Sequence, residues 1–147
     1  MYMLDTTVFN HILRDDIDIE QLPSDKPLFA THVQLNEIQN TKDEIIRSQL
    51  LAVFTEVEAN RVATSSAVWD VSEWGEAEWG TNDGLFENLL QKLNSLNKNK
   101  KNNARDILIG ETAIRHGMTL VTDDADLTTT INEFGGKVVA LKEFLGK

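Results

Sequence analysis

Short apolar runs alternate with amphipathic stretches along this 147-residue chain. Tyr2-Met3-Leu4 predicts a first strand that ends in Asp5-Thr6-Thr7, with a helix following over about 8–13. After Asp15-Asp16 and an irregular turn at Pro23, Leu28-Phe29-Ala30 predicts a second strand. Thr31 then caps a helix carrying Val33, Leu35, Glu37 and Ile38. Thr41-Lys42-Asp43-Glu44 has the form of a capping box, and Ile46, Leu50, Val53 and Val57 continue at helical spacing to about residue 59. Val62-Ala63-Thr64 suits a short edge strand or an extended loop, and Leu85, Phe86, Leu89, Leu93 and Leu96 mark another amphipathic helix. From Asn103 to His116 the pattern is helical again. Asn103 is the expected N-cap with Asp106 reaching back to it, and Gly117 the expected stop. Thr119 to Thr122 reads as a buried strand. Leu127, Ile131 and Phe134 suggest a helix closed by Gly135-Gly136, followed by a last strand, Val138-Val139-Ala140-Leu141, and a short C-terminal helix. Strands alternating with helices predict a single α/β domain over residues 1–147, a three-layer α/β/α sandwich around a small, mostly parallel central sheet.

That architecture has a consequence for the acids. A helix that returns to a parallel strand runs antiparallel to it, so its start lies beside the strand's end. Twelve helical residues span ~18 Å and a four- to five-residue strand ~15 Å, so the two lengths match. Asp106 is thereby expected at the same sheet edge as Asp123, Asp124 and Asp126. Asp5 ends the first strand at that edge, and Glu37 can reach it from the second helix. Each acid has a bland reading as well: Asp5 or Thr6 as a helix cap, Glu37 as a solvated helix residue. Several carboxylates within a few ångströms cannot all stay ionised without a cation. Oxygen-only ligands favour Mg²⁺ or Mn²⁺ over zinc. Such an ion polarises a phosphoryl oxygen and lowers the pKa of a bound water.

Composition narrows the chemistry further. There is no Cys, which removes disulfides, thiolate metal sites and Cys nucleophiles, and the three His residues fall away from the acids. An acid as early as Asp5 does not suit a signal peptide, and no apolar run approaches a membrane span, so a cytoplasmic protein is expected. The formal charge is −10, from 24 acidic against 14 basic residues. A nucleic-acid partner then needs a bound metal and a local basic element, whereas a basic protein partner does not. Lys98, Lys100, Lys101 and Arg105 supply such an element directly before Asp106, although Lys-rich loops are usually just solvated. Trp69, Trp74 and Trp79 fall within eleven residues in an acidic stretch, which suits either an interaction surface or packing onto the domain's own helices.

Leu4-Asp5-Thr6-Thr7-Val8-Phe9, Glu37, Arg105-Asp106-Ile107-Leu108-Ile109 and Leu120-Val121-Thr122-Asp123-Asp124 resemble, in order and spacing, the four acidic motifs of PIN-domain nucleases. The nearest resemblance is to the VapC-like toxins of type II toxin–antitoxin systems. It implies catalytic roles for Asp5, Glu37, Asp106 and Asp124, with Asp5, Asp106, Asp124 and Asp126 holding the metal. Asp124 rather than Asp123 takes the fourth acidic position as a choice of register, and Thr6, Thr122 and Asp123 support the site. The resemblance further implies a Mg²⁺- or Mn²⁺-dependent endoribonuclease acting on RNA, a homodimer, and a small cognate antitoxin.

Two other α/β classes gather acids at strand ends. A receiver-type signalling domain wants adjacent acids after the first strand and a phosphorylatable Asp mid-chain, but Asp5 stands alone before two threonines. A haloacid-dehalogenase-type phosphatase wants a second Asp where Thr7 stands. A non-catalytic binding protein on the same scaffold would lack one of the acids, and all four positions are filled.

Overall fold

The computed structural model describes residues 1–15, 17–23, 25–57, 59–64 and 84–146. Strands β1 (Tyr2–Leu4), β2 (Leu28–Ala30), β3 (Asn60–Arg61), β4 (Thr119–Val121) and β5 (Lys137–Val139) form one sheet in the order β3-β2-β1-β4-β5. Every pairing is parallel, with Tyr2 opposite both Leu28 and Thr119, and Thr119 opposite Lys137. The helices are α1 (Thr6–Arg14), α2 (His32–Gln39), α3 (Glu44–Val57), α4 (Leu85–Asn97), α5 (Asn103–Arg115), α6 (Ala125–Glu133) and α7 (Leu141–Phe144). The α/β/α sandwich expected from the sequence is what the chain adopts. The expected third strand at 62–64 lies two residues earlier, at Asn60–Arg61.

Side chains alternate across the central strands, and this divides the core in two. Met3 and Leu120 face one side, where Leu89 and Leu93 of α4, Ile107 to Ile109 of α5, and Leu127 and Ile131 of α6 cover them. Leu4 and Val121 face the other, against Val8, Phe9 and Ile12 of α1, Leu50 and Val57 of α3, and Leu141 and Phe144 of α7. Both faces of the short central strands are therefore dry, as an all-parallel sheet requires.

Two helix starts differ from expectation. Helix α3 is capped by Asp43, whose Oδ1 accepts from the N–H groups of Ile45 and Ile46, and not by Thr41. Helix α5 begins at Asn103 itself, and the residue before it, Asn102, makes no side-chain cap. The Asn103 side chain is instead 3% exposed and bonded to Asn94 and Asn97 of α4. Packing two antiparallel helices across a five-residue loop takes priority over the local cap. Gly117, at φ 67°, ends α5 as expected. The tryptophans at 69, 74 and 79 lie outside the described residues. Among the described residues no helix is long and apolar enough to cross a membrane.

Candidate active site

The chain leaves β1 towards β2 on one side and leaves β4 towards β5 on the other, although β1 and β4 are neighbours. The loops after these two strands diverge and open a crevice at their carboxyl ends, the place where open α/β sheets hold ligands. Asp5 ends β1 there, and Thr122-Asp123-Asp124 ends β4.

Asp5 is 3% exposed, and its carboxylate is bonded on several sides. Oδ1 accepts from the Thr6 N–H at 2.8 Å, which also caps α1. Oδ2 accepts from the hydroxyls of Thr7 at 3.0 Å and Thr122 at 2.7 Å. The bland reading of Asp5 as a cap thus holds, but a cap uses one oxygen and this carboxylate uses both. Thr122 Oγ1 in turn accepts from the Asp124 N–H at 3.2 Å, so the β1 and β4 loops share one hydrogen-bonded chain.

Glu37 enters from α2, Asp106 from the first turn of α5 and Asp124 from the start of α6. Their charges act on one another and on Asp5. Burial, and then the Asp5 charge, push the Glu37 carboxyl up to about 7, while the Thr6 hydroxyl and Arg105 pull the other way. Burial pushes Asp106 up to about 8, helped by Asp5, Glu37 and Asp124 and opposed by Arg105. Asp5 is also raised, by burial above all and by Asp124 last, against the pull of its hydrogen bonds from Thr122, Thr7 and Thr6. Asp5, Glu37 and Asp106, from three segments of the chain, therefore share one low-dielectric recess, and the half-exposed Asp124 lies near enough for its charge to reach Asp5 and Asp106. Glu37 Oε1 and Thr6 Oγ1 are buried there, and neither has a hydrogen-bond partner of full geometry. The hydroxyl still favours the ionised carboxyl without bonding it squarely.

The remaining expected residues separate. Asp124 Oδ1 accepts from Leu127 N–H and caps α6, and its charge acts on Asp5 and Asp106. Asp123 is turned away: Oδ1 accepts from the Leu141 N–H at 3.0 Å, capping α7, and Oδ2 lies 3.8 Å from His11 Nε2. The structure therefore puts Asp124, not Asp123, beside the other acids. Asp126 is half-buried in the first turn of α6, and nothing in the described contacts ties its carboxylate to the cluster. Of the basic residues, Arg105 is half-buried and acts on Glu37 and Asp106, whereas Lys98, Lys100 and Lys101 are exposed on the α4–α5 loop.

One positioning residue is not among those expected from the sequence. Gln34 is fully buried; its Nε2 donates to the Leu4 carbonyl at 2.8 Å, and its Oε1 accepts from Thr31 N–H at 2.9 Å. It pins the β1 end to the β2 end one residue before Asp5. Thr31-His32-Val33-Gln34 is itself a capping-box pattern, so the signal was present.

Whether these residues suit a divalent ion can be tested on the donors. They are all oxygens, two of them buried without a partner, and carboxyls with raised proton affinity are short of positive charge. Among the described residues no three acidic or imidazole groups are placed closely enough to enclose an ion as they stand. The donor chemistry fits a hard cation, and the spacing leaves the cluster open.

No protein-family model matches the sequence, and no curated protein matches it. Solved structures do. One chain of the VapBC2 complex from Rickettsia felis, bound to a DNA fragment from its promoter, aligns over 95% of this chain and 97% of its own at a TM-score of 0.54 and 18% identity. FitAB bound to an IR36 DNA fragment aligns over 95% and 94% at 0.50 and 15% identity. VapBC-5 from Mycobacterium tuberculosis, a member of the VapBC family of toxin–antitoxin systems, aligns over 94% of each chain at 0.47 and 19% identity. At such identities the first two establish a shared fold over nearly the whole length.

Proposed function

We propose that this chain is a Mg²⁺- or Mn²⁺-dependent endoribonuclease and the toxin of a type II toxin–antitoxin pair. The observation that carries the reading is the convergence of Asp5, Glu37 and Asp106 in one recess with Asp124 beside it, where burial and mutual repulsion raise Asp106 to about 8. Leaving carboxyls buried against one another is costly unless the site exists to hold something positive. Asp5, Asp106 and Asp124 would hold the ion, and Asp126, in the first turn of α6 and not tied to the cluster by the described contacts, would join them only by moving its side chain. When bound it supplies Lewis acidity toward a phosphoryl oxygen and a lowered pKa for water. Glu37, with its carboxyl near 7, is suited to take a proton from an attacking water at neutral pH. Thr122 and Thr7 hold Asp5 in place, and Gln34 fixes the strand end that carries it.

The fold neighbours are parts of two-component complexes, and this supports a protein partner. The antitoxin role in such a pair would leave the buried Asp5 and the three half-buried acids around it without a purpose, so the nuclease role is preferred. Ile45 and Ile46 on α3, 71% and 43% exposed, offer apolar surface for an antitoxin or for a second copy of the chain. A receiver-like role is not favoured, since Asp5 stands alone before two threonines at the end of β1 and neither β2 nor β3 is followed by an Asp that could be phosphorylated.

The test is cleavage of RNA by purified, partner-free protein with Mg²⁺ or Mn²⁺, its loss in EDTA, and its loss in Asp5→Asn and Asp106→Asn proteins that keep their fold. Undiminished cleavage in either variant removes the mechanism.

A further inference from the structure

The α4–α5 loop is built in an unusual way for a solvated connection. Helices α5 and α6 both end with glycine in the left-handed region, Gly117 at φ 67° and Gly135 at φ 85°. Helix α4 ends with Lys98 at φ 60° and Asn99 at φ 61°. Asn tolerates that conformation through its short polar side chain, but for Lys it is strained, and glycine would be the cheaper residue. Such strain persists only where the surroundings enforce it. Here they do: Lys98 and Asn99 N–H groups both donate to the Asn94 carbonyl, and Lys100 N–H donates to Asn97 Oδ1 at 3.4 Å. Asn103, buried beneath, bonds Asn94 and Asn97 through Nδ2 at 2.7 Å each and accepts from Asn97 Nδ2 at 2.8 Å.

Lys98, Lys100 and Lys101 are exposed, and among the described residues none of them forms an ion pair. That is unexpected in a chain with 24 acids for 14 bases, where Lys92 pairs with Glu133 and Arg115 with Glu111. The loop is also joined to the recess. The Asp106 N–H donates to the Asn102 carbonyl at 3.1 Å, and Arg105 acts on Glu37 and Asp106.

We infer that residues 98–102 form a pre-ordered clamp for the sugar–phosphate backbone of single-stranded RNA, guiding the strand past Arg105 into the acidic recess. The inference rests on the nuclease reading for its choice of RNA. Three ammonium groups on a fixed loop read phosphate, not sequence, and fixing the loop beforehand lowers the entropy lost on binding. A flexible single strand can turn from the loop into the recess; a stiff duplex cannot.

The experiment measures binding of a labelled, unstructured oligoribonucleotide over a range of salt concentrations, in an Asp106→Asn background that cannot cut. Replacing Lys98, Lys100 and Lys101 with Ala together should weaken binding at least ~10-fold at low salt and flatten the log–log salt slope by about 2. Lys98→Gly alone should raise Tm by ~2–4 °C and flatten the slope by about 0.7. Unchanged affinity and slope in the triple variant overturn the clamp. So do a Lys98→Gly protein that binds as before, tighter binding of duplex DNA through the same lysines, and a parent that binds no RNA. Cleavage assays with Asp106 intact separate the two claims. If the triple-Ala protein cuts with an unaltered KM, the clamp falls and the nuclease stands. If RNA binding depends on the loop but no cleavage occurs, the nuclease falls and the clamp stands.

Discussion

The Thr122 hydroxyl donates to Asp5 Oδ2 across 2.7 Å, joining two residues 117 positions apart in the chain. It ties the β1 and β4 ends together beside the backbone bond from the Asp5 N–H to the Val121 carbonyl, and it is a main force holding the Asp5 carboxyl down against its burial. Thr122→Val keeps the shape of the side chain and removes the donor. Urea unfolding near pH 8 should show a loss of about 1–3 kcal/mol, and RNA cleavage should fall with it. Thr122→Ser should recover most of both. A Val variant as stable and active as the parent would show that the bond is incidental.

The raised acids make a stability prediction with a definite sign. In the unfolded chain Asp and Glu release their protons near pH 4. The folded protein holds them on Glu37 to about 7 and on Asp106 to about 8. Between those limits the folded state binds more protons than the unfolded state, so stability falls as pH rises. In EDTA the protein should be firmer at pH 5–6 than at pH 8. Mn²⁺ or Mg²⁺ should raise Tm at pH 8 and have much less effect near pH 5, where the site is protonated. Thermal melts across this range with and without metal check both halves.

Asp106→Asn removes a carboxyl that is half-buried and repelled by three others. It should stabilise the metal-free protein at pH 8 by about 1–3 kcal/mol while abolishing cleavage and the stabilisation by Mn²⁺. A destabilised Asn variant would mean that the Asp106 charge is satisfied by something other than an ion.

Gln34→Leu leaves the Leu4 carbonyl and Thr31 N–H without their side-chain partners in a fully buried place. A cost of about 2–4 kcal/mol in urea unfolding is expected from two lost partners. Because Leu4 precedes Asp5, kcat should fall more than KM rises. A loss confined to stability would make Gln34 purely structural.

Gly136 lies where α6 turns back into β5. A Cβ there would stand 2.4 Å from Ile131 Cγ2, 2.9 Å from Ile114 Cγ1 and 3.1 Å from the Ile131 carbonyl oxygen. Since one of those neighbours is backbone, the site cannot relax cheaply. Gly136→Ala should cost about 1–3 kcal/mol in the same assay and leave the acidic recess unchanged.

The order of strands and helices could be read from hydrophobic periodicity, because burial on a sheet face or a helix stripe leaves a repeating pattern. The acids at 5, 37, 106 and 124 were visible for the same reason, since strand ends and helix starts are local features. What failed was local chemistry overridden by packing. Asn103 looked like a cap, yet α4 packs against α5 so closely that its amide is taken inside. Thr41 yielded its cap to Asp43, two residues nearer the helix.

By itself the sequence determined that the chain alternates strand and helix and that its acids fall at the ends of those elements. Tertiary structure alone decided that Asp124 and not Asp123 faces the other acids, because the α7 N-terminus captures one of two adjacent carboxylates. It also decided which side chains fix Asp5, because Thr122 and Gln34 reach it, or the strand end beside it, across the sheet order β2-β1-β4. Periodicity records which face a residue turns to the core. Only the assembled sheet determines which distant residue it meets there.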